Sequence, residues 1–265
     1  MSRSKSEFSD EELGRFETFK KIIERLRGPG GCPWDRKQTH VSLKRYLVEE
    51  CYEVLETIDE QRIPALCEEL GDLWLQIMLH AQIARESAEF TLEDVLRKIN
   101  AKLIYRHPHV FGDKKAKDAD DVAATWEELK GLEKPDNFSL LAGVPREMPA
   151  LAYSQSVQRR AAAVGFDWEK IDHIIEKLVE EVEELKRAEG QEQKSREFGD
   201  IVLTLANVAR RMDIDLESAL RQANARFTRR FQFIEDSCRG SGADLKTLTL
   251  AEMDKLWNEA KKVVG

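Results

Sequence analysis

The stretch that decides the fold is residues 47–75, LVEECYEVLETIDEQRIPALCEELGDLWL. Its apolar residues recur with helical period on both sides of a turn near residue 61, which predicts two antiparallel helices. A Glu-x-x-Glu pair precedes the turn, and a Glu-x-Gly-Asp segment follows it. Because residues three apart share one helix face, we expect the four acids to point at each other across the hairpin. They are Glu50, Glu53, Glu69 and Asp72.

Residues 178–203, LVEEVEELKRAEGQEQKSREFGDIVL, repeat this pattern around a turn at Gly190. The acids of the second set are Glu181, Glu184, Glu197 and Asp200. The first pair of acids recurs at an offset of 131 residues and the second pair at 128. An offset that is constant within each element and changes only between elements indicates an internal repeat whose loops vary in length.

The repeat continues into basic and aromatic residues downstream of each acidic set. Asn100, Lys102, Arg106, Trp126 and Lys130 correspond to Asn224, Arg226, Arg230, Trp257 and Lys261. One position breaks the correspondence, because Lys194 has Leu66 as its counterpart. The two halves are therefore predicted to be related but unequal.

Helical period dominates the chain and no alternating strand pattern persists, so we predict an all-α protein. The predicted helices cover 10–27, 42–59, 64–87 and 92–106, a short segment around Trp126, and then 151–163, 170–188, 193–212, 216–238 and 250–263. A proline-containing segment without a helical stripe separates the halves. We expect an N-terminal helical domain over 1–133, a linker over 134–150 and a C-terminal helical domain over 151–265.

Composition excludes several classes of protein. The formal net charge of −8 argues against general nucleic-acid binding, which needs a basic face. The four cysteines lack zinc-ligand spacing and are expected to be reduced thiols. Neither a signal peptide nor a long uncharged apolar stretch is evident, so we expect a soluble, cytoplasmic protein without a membrane partner.

The acidic sets indicate a metal site. Clustered carboxylates raise one another's pKa values unless a cation neutralises them, and oxygen-only ligands favour Mg²⁺, with Mn²⁺ as a substitute. A di-iron bundle would need Glu-x-x-His where Asp72 and Asp200 stand. The competing interpretation is a pair of solvated Glu-rich faces. Apolar neighbours of the acids argue against it, as do Gly71 and Gly199, whose helix-interior positions predict close approach of a backbone or ligand.

A polyphosphate is the ligand that the remaining residues fit. Lys194, Arg226, Arg230 and Lys261 are expected to contact phosphates with Asn224 nearby, Trp257 to stack on a nucleotide, and Lys102 and Arg106 to be the first-half equivalents. No motif of a covalent nucleophile is evident. The chemistry is therefore expected to be attack by a metal-activated water.

Short motifs recur along both halves. The first half contains GGCPWD (30–35), QTH (38–40), YLVEE (46–50), ELGD (69–72) and RHPHVFG (106–112), and the second contains GFDW (165–168), EFGD (197–200) and NARF (224–227). Together these motifs resemble the MazG nucleoside triphosphate pyrophosphohydrolases in their two-domain bacterial form, over nearly the whole chain. The resemblance implies Mg²⁺-dependent hydrolysis of NTPs or dNTPs to a monophosphate and pyrophosphate. It also implies tandem helical-bundle domains that complete four-helix-type cores in a homodimer.

In similar proteins the C-terminal domain is often the main catalyst. The resemblance therefore implies that the four acids of this half bind the metal and that the nucleotide is bound by Lys194, Arg226, Arg230, Trp257 and Lys261. It leaves open whether Glu180 or Glu181 is the general base. Arg226 stands where the family commonly has lysine, so substrate fit is expected to differ.

Two other classes of function stay open from the residues alone. The chain is alternatively a helical interaction protein with structural acids, acting on a regulatory partner that the sequence does not identify. A carboxylate-bridged redox bundle is the third interpretation.

Overall fold

The computed structural model describes residues 7–132 and 139–264. These residues form helices and no strands, which confirms the all-α prediction. The chain divides into two compact units, Met1–Pro135 and Asp136–Gly265. Residues 133–138, which include the start of the predicted linker, lie outside the described part. No helix of the described residues is long and apolar enough to cross a membrane.

The described helices of the first unit are α1 (Asp10–Leu13), α2 (Phe16–Arg27), α3 (Pro33–Lys37), α4 (His40–Asp59), α5 (Ile63–Glu86), α6 (Leu92–Arg106), α7 (Pro108–Phe111) and α8 (Ala119–Leu132). The single helix predicted over 10–27 is wrong. A reciprocal capping box between Ser9 and Glu12 starts a one-turn helix, and Gly14 ends it. Arg15 is then extended, so that α2 starts separately.

Helix α4 begins two residues before the predicted start because Thr39 and Ser42 cap it reciprocally. The sequence pattern missed this box because serine, rather than glutamate or glutamine, occupies the third helical position. The turn between α4 and α5 lies where it was predicted, with Gln61 in the left-handed region at φ 56°.

The core of the first unit lies at the end of the α4–α5 hairpin that is remote from this turn. Leu43, Met78 and Leu79 are buried there together with Ile23 of α2. The acids of the hairpin lie between this core and the turn, so they are placed on rigid helices and not on a loop.

The described helices of the second unit are α9 (Ala150–Ala162), α10 (Ile171–Arg187), α11 (Gly190–Arg211), α12 (Leu216–Ser241) and α13 (Leu250–Val263), with a 3₁₀ turn at Leu245–Thr247. Helix α11 starts three residues before its predicted start, because Gly190 takes φ +76° and turns the chain directly out of α10. Helix α12 extends to Ser241, where Gly242 caps it in the left-handed conformation.

Most of the apolar residues beside the acids stay exposed in the described structure, although Leu73 and Ile201 are half-buried. Trp74 is 48% exposed and Leu203 is 44% exposed, and Leu70, Ile77 and Leu205 are similar. The expectation that these acids border a core therefore fails for the single chain. Each hairpin, taken by itself, therefore leaves several large apolar side chains open to solvent or to a partner.

The expectation of close approach at the two helical glycines is also not met within one chain. A Cβ atom built on Gly71 or Gly199 would meet nothing within 4 Å in the described structure. Both glycines lie on exposed helix surface, so no contact among the described residues explains them.

Candidate functional site

The α4–α5 hairpin brings three of the four predicted acids of the first half together. One carboxylate oxygen from each of Glu50, Glu69 and Asp72 lies within 4.8 Å of the others. Glu53 is outside this group, but it adds to the negative charge around Glu50 and helps to raise the pKa of that side chain. We call Glu50, Glu69 and Asp72 the first acid cluster.

Negative charge accumulates in the first acid cluster and is offset only in part, by the guanidinium of Arg62. Burial, followed by the charges of Asp72 and Glu53, raises the pKa of Glu50. Burial and then Glu53 and Asp72 raise the pKa of Glu69, opposed by the guanidinium of Arg62. Among the described residues, no lysine or arginine forms an ion pair with a member of the cluster. The cluster therefore favours a cation from outside the chain.

The α10–α11 hairpin forms a second acid cluster from a different subset of its four acids. Carboxylate oxygens of Glu181, Glu184 and Glu197 lie within 4.8 Å of each other, and Asp200 is outside the group. Glu181 is buried, with its side chain 8% exposed. The acid outside the first cluster is Glu53 and the acid outside the second is Asp200, and these are not equivalent positions of the repeat. The two clusters therefore differ in which acids they contain.

A lysine that the sequence reasoning missed reaches into the second acid cluster. The Nζ atom of Lys177 lies 2.8 Å from Oε1 of Glu181 and donates a hydrogen bond to Oε1 of Glu180 at 2.9 Å. These bonds, with that to Glu181 the stronger, raise the pKa of Lys177 above its ordinary value. The sequence signal that could have identified Lys177 is its position four residues before Glu181, which places both side chains on one helix face.

The first half has no lysine at this position. The residue four before Glu50 is Tyr46, whose ring packs edge-on against Trp34 at 5.8 Å and against the core. The two acid clusters therefore differ in charge as well as in membership.

The donor set of each cluster fits a hard divalent cation. Both clusters present only carboxylate oxygens, spaced closely enough for one ion to contact three of them. Neither contains the histidine that a Glu-x-x-His di-iron site would supply. Mg²⁺ and Mn²⁺ match this chemistry, whereas a zinc site would ordinarily include nitrogen or sulfur ligands.

The predicted nucleotide residues lie mainly on α12 and α13. The guanidinium of Arg230 stands 5.6 Å from the ring centre of Trp257, and the ring of Phe227 lies 5.2 Å from the same indole. In the first half, Arg106 stands 5.2 Å from the ring centre of Trp126, so the corresponding pair makes the same contact.

The other predicted cations and the asparagine are exposed. Nζ of Lys261 donates to Oδ1 of Asn258 at 3.1 Å. Lys194, Asn224, Arg226 and Lys102 are exposed on their helices. The described structure gives none of these four an ion pair with either acid cluster. Lys194 thus lies on the acid-bearing helix α11 and Arg226 on α12, and neither forms an ion pair with the acids in the described structure.

A buried glutamine fixes the start of α12 and thereby the helix that carries Arg226 and Arg230. Gln155 is 1% exposed. Its Nε2 donates to the carbonyl of Ile214 at 2.8 Å, and its Oε1 accepts from the N–H of Leu216 at 3.1 Å. No local sequence pattern marks this residue, because its partners lie some sixty positions away.

Comparison with known proteins identifies relatives along nearly the full chain. Residues 38–111, which contain the first acid cluster, match the model of the MazG nucleotide pyrophosphohydrolase domain. The chain is 45% identical over 247 residues to the Thermotoga maritima nucleoside triphosphate pyrophosphohydrolase/pyrophosphatase MazG, covering 93% of this chain and 95% of that one. It is 36% identical over 258 residues to an Escherichia coli nucleoside triphosphate pyrophosphohydrolase, covering 94% and 98%. An uncharacterized Bacillus subtilis protein, YabN, is 49% identical over 252 residues, which is 93% of this chain and 52% of that protein.

Proposed function

Because the chain belongs to the MazG family of nucleotide pyrophosphohydrolases, we propose that it hydrolyses nucleoside triphosphates, ribo or deoxy, to a monophosphate and pyrophosphate. The proposed reaction depends on Mg²⁺, with Mn²⁺ as a substitute. The single observation that carries the metal requirement is the convergence of three carboxylate oxygens within 4.8 Å in each half.

In this proposal Glu181, Glu184 and Glu197 hold the metal in the second half, with Asp200 close by on α11. Glu50, Glu69 and Asp72 hold it in the first half, with Glu53 beside them. A bound Mg²⁺ would supply positive charge at the phosphates and lower the pKa of a bound water. The acids of each cluster would supply oxygen ligands to such an ion, and the triphosphate brings further oxygen ligands.

The chain's own cations meet the charge of the triphosphate. Arg226 and Arg230 are four residues apart on α12, so both side chains lie on one face of that helix. Lys194 and Lys261 contribute from α11 and α13. Trp257 presents an indole that already packs against Arg230, a surface suited to a nucleobase or ribose.

The position of Glu180 suggests a division of roles between the two neighbouring glutamates. Glu181 belongs to the second acid cluster and is buried. Glu180 is 56% exposed and outside the cluster, and it shares Lys177 with Glu181. We therefore assign Glu181 to the metal and Glu180 to proton removal from the attacking water.

A homodimer is part of the proposal. Large apolar residues stay exposed on both acidic hairpins, including Trp74 at 48% and Phe198 at 59%. Such a face on a small helical bundle is expected to be covered by a second copy. Equilibrium sedimentation at micromolar concentration tests this, and a monomer there would contradict it.

Hydrolysis in ¹⁸O-labelled water tests the cleavage site most sharply. Attack at the α-phosphorus puts the label into the monophosphate, whereas attack at the β-phosphorus puts it into pyrophosphate. Mass spectrometry of both products distinguishes them. Formation of diphosphate and orthophosphate would sink the proposal.

The contribution of each half is tested by Glu50→Gln and Glu181→Gln in the full chain. We expect the larger loss of turnover from Glu181→Gln, in keeping with the implied role of the C-terminal half. Glu183→Gln is the matched control, because Glu183 lies on the same helix and pairs with Lys186 outside the cluster. Equal losses from the two cluster variants would contradict the assignment.

A further inference from the structure

We infer that Lys177 is a built-in counter-ion of the second acid cluster, which a metal ion must displace and which then turns to the phosphates of the substrate. This inference rests on the proposed function. It adds that the second site binds metal more weakly than the first when nucleotide is absent, and that metal and nucleotide help each other to bind there.

The geometry places the lysine where it competes with a metal. Its Nζ atom is 2.8 Å from a carboxylate oxygen of Glu181, the most buried member of the second acid cluster. A divalent ion held by the same carboxylate would face the ammonium group at short range, and like charges repel. The Lys177 side chain is itself 33% exposed, so solvent is available to the ammonium when it moves away.

The first half supplies the natural comparison. The position equivalent to Lys177 is Tyr46, which is uncharged and packed against the core. The first acid cluster has no ion pair with a lysine or arginine in the described residues. Metal binding there displaces nothing, and it relieves repulsion among the acids.

The displaced ammonium group has a defined use. Glu180 also holds Nζ, at 2.9 Å, so the lysine stays next to the cluster when Glu181 takes a metal. A phosphate oxygen that shares the metal with Glu181 would lie within reach of a lysine anchored in this way. Lys177 therefore opposes the metal alone and favours the metal together with nucleotide.

Lys177 is thus expected to weaken the binding of metal and to strengthen the binding of nucleotide. The variant Lys177→Met tests these two effects separately. The measurement is Mn²⁺ binding to the full-length chain by electron paramagnetic resonance, in a Glu50→Gln background that removes the first site. We expect Lys177→Met to tighten Mn²⁺ binding by ~3- to 10-fold, because a partly exposed ion pair no longer competes. With Mn²⁺ saturating, the same variant is expected to bind an α,β-methylene nucleoside triphosphate more weakly by a similar factor.

Lys186→Met is the matched control. Lys186 lies on the same helix and pairs with Glu183 at 2.6 Å, outside the cluster, so both affinities are expected to stay unchanged. Lys177→Gln provides a second variant with a polar side chain in case methionine disturbs the fold.

Three outcomes would overturn the inference. Unchanged Mn²⁺ binding in both Lys177 variants would show that the lysine does not compete. Weaker binding of both metal and nucleotide would indicate that Lys177 merely positions Glu181. No Mn²⁺ binding in any variant, with or without nucleotide, would remove the proposed function as well, which distinguishes the two failures.

Discussion

Replacing Gln155 by methionine is expected to loosen the start of α12 and weaken the second unit. The wild-type side chain is 1% exposed and makes two hydrogen bonds to the backbone of the α11–α12 connection. Each bond contributes about 1 kcal/mol, and the unpaired carbonyl of Ile214 and N–H of Leu216 each add a desolvation cost of similar size. Partial access of water to this connection offsets some of that cost, so we expect a loss of about 3 kcal/mol in the free energy of unfolding.

Gln158→Met is the matched control on the same face of α9. Gln158 donates one hydrogen bond, to the carbonyl of Leu203 at 2.9 Å. Its Oε1 atom is buried and has no partner in the described structure, so methionine relieves one cost while it removes one bond. The two effects nearly cancel, and we expect a change within about 1 kcal/mol.

Urea unfolding followed by circular dichroism measures the difference, and hydrogen exchange locates it. The amide of Leu216 is expected to lose protection in Gln155→Met and to keep it in Gln158→Met. Because α12 carries Arg226 and Arg230, the proposed function also predicts a higher KM for the triphosphate in Gln155→Met. Equal destabilisation by the two variants, or an unchanged Leu216 amide, would refute the assignment of Gln155 as the anchor of α12.

Three further outcomes are expected. Glu50→Gln should raise the melting temperature of the metal-free protein at pH 8. Burial and the neighbouring acids raise the pKa of Glu50, so its ionised form destabilises the fold at that pH. The variant should also lose part of any stabilisation by Mg²⁺. Hydrogen bonds from Arg27 hold the pKa of Glu86 below its ordinary 4.5, so this pair stabilises the first unit fully above pH 4.5 and less at lower pH. The loss of stability in Glu86→Gln should therefore be largest near neutral pH and shrink on acidification, and a constant loss across pH would contradict the ion pair. Gly199→Ala should stabilise an isolated chain by up to about 1 kcal/mol, because an added Cβ meets open space and alanine is the better helix former; destabilisation would indicate a contact with another molecule at this helix face.

The acidic hairpins could be predicted because their information is local. A spacing of three residues places two acids on one helix face. A turn signal between the two helices then predicts that the two pairs of acids face each other across the hairpin. The start of α6 at Leu92 is local in the same sense, because Thr91 and Asp94 form a capping box there. Errors arose where local signals were ambiguous, as at Gly14, which ends α1 but is also tolerated inside a helix at some cost.

Contacts between distant segments were not accessible in the same way. Gln155 looks like any polar residue of an amphipathic helix until α12 is placed against it. Lys177 was within reach of sequence reasoning, since it lies four residues before Glu181, but lysine and glutamate at this spacing are common on solvated helices. Only the burial of Glu181 distinguishes this pair from a surface ion pair.

Duplication of an acidic pattern does not by itself produce two equivalent sites. In the first acid cluster, burial and then repulsion from the neighbouring carboxylates raise the pKa of Glu50 and Glu69, and a metal ion relieves that repulsion. In the second acid cluster Lys177 already offsets the repulsion among the carboxylates. A metal ion therefore gains less binding free energy there until the lysine pairs with another anion. The triphosphate is such an anion. In this proposal the second half binds free metal more weakly than the first, and its metal binding depends on substrate. This is consistent with the larger catalytic share proposed for Glu181 and its neighbours.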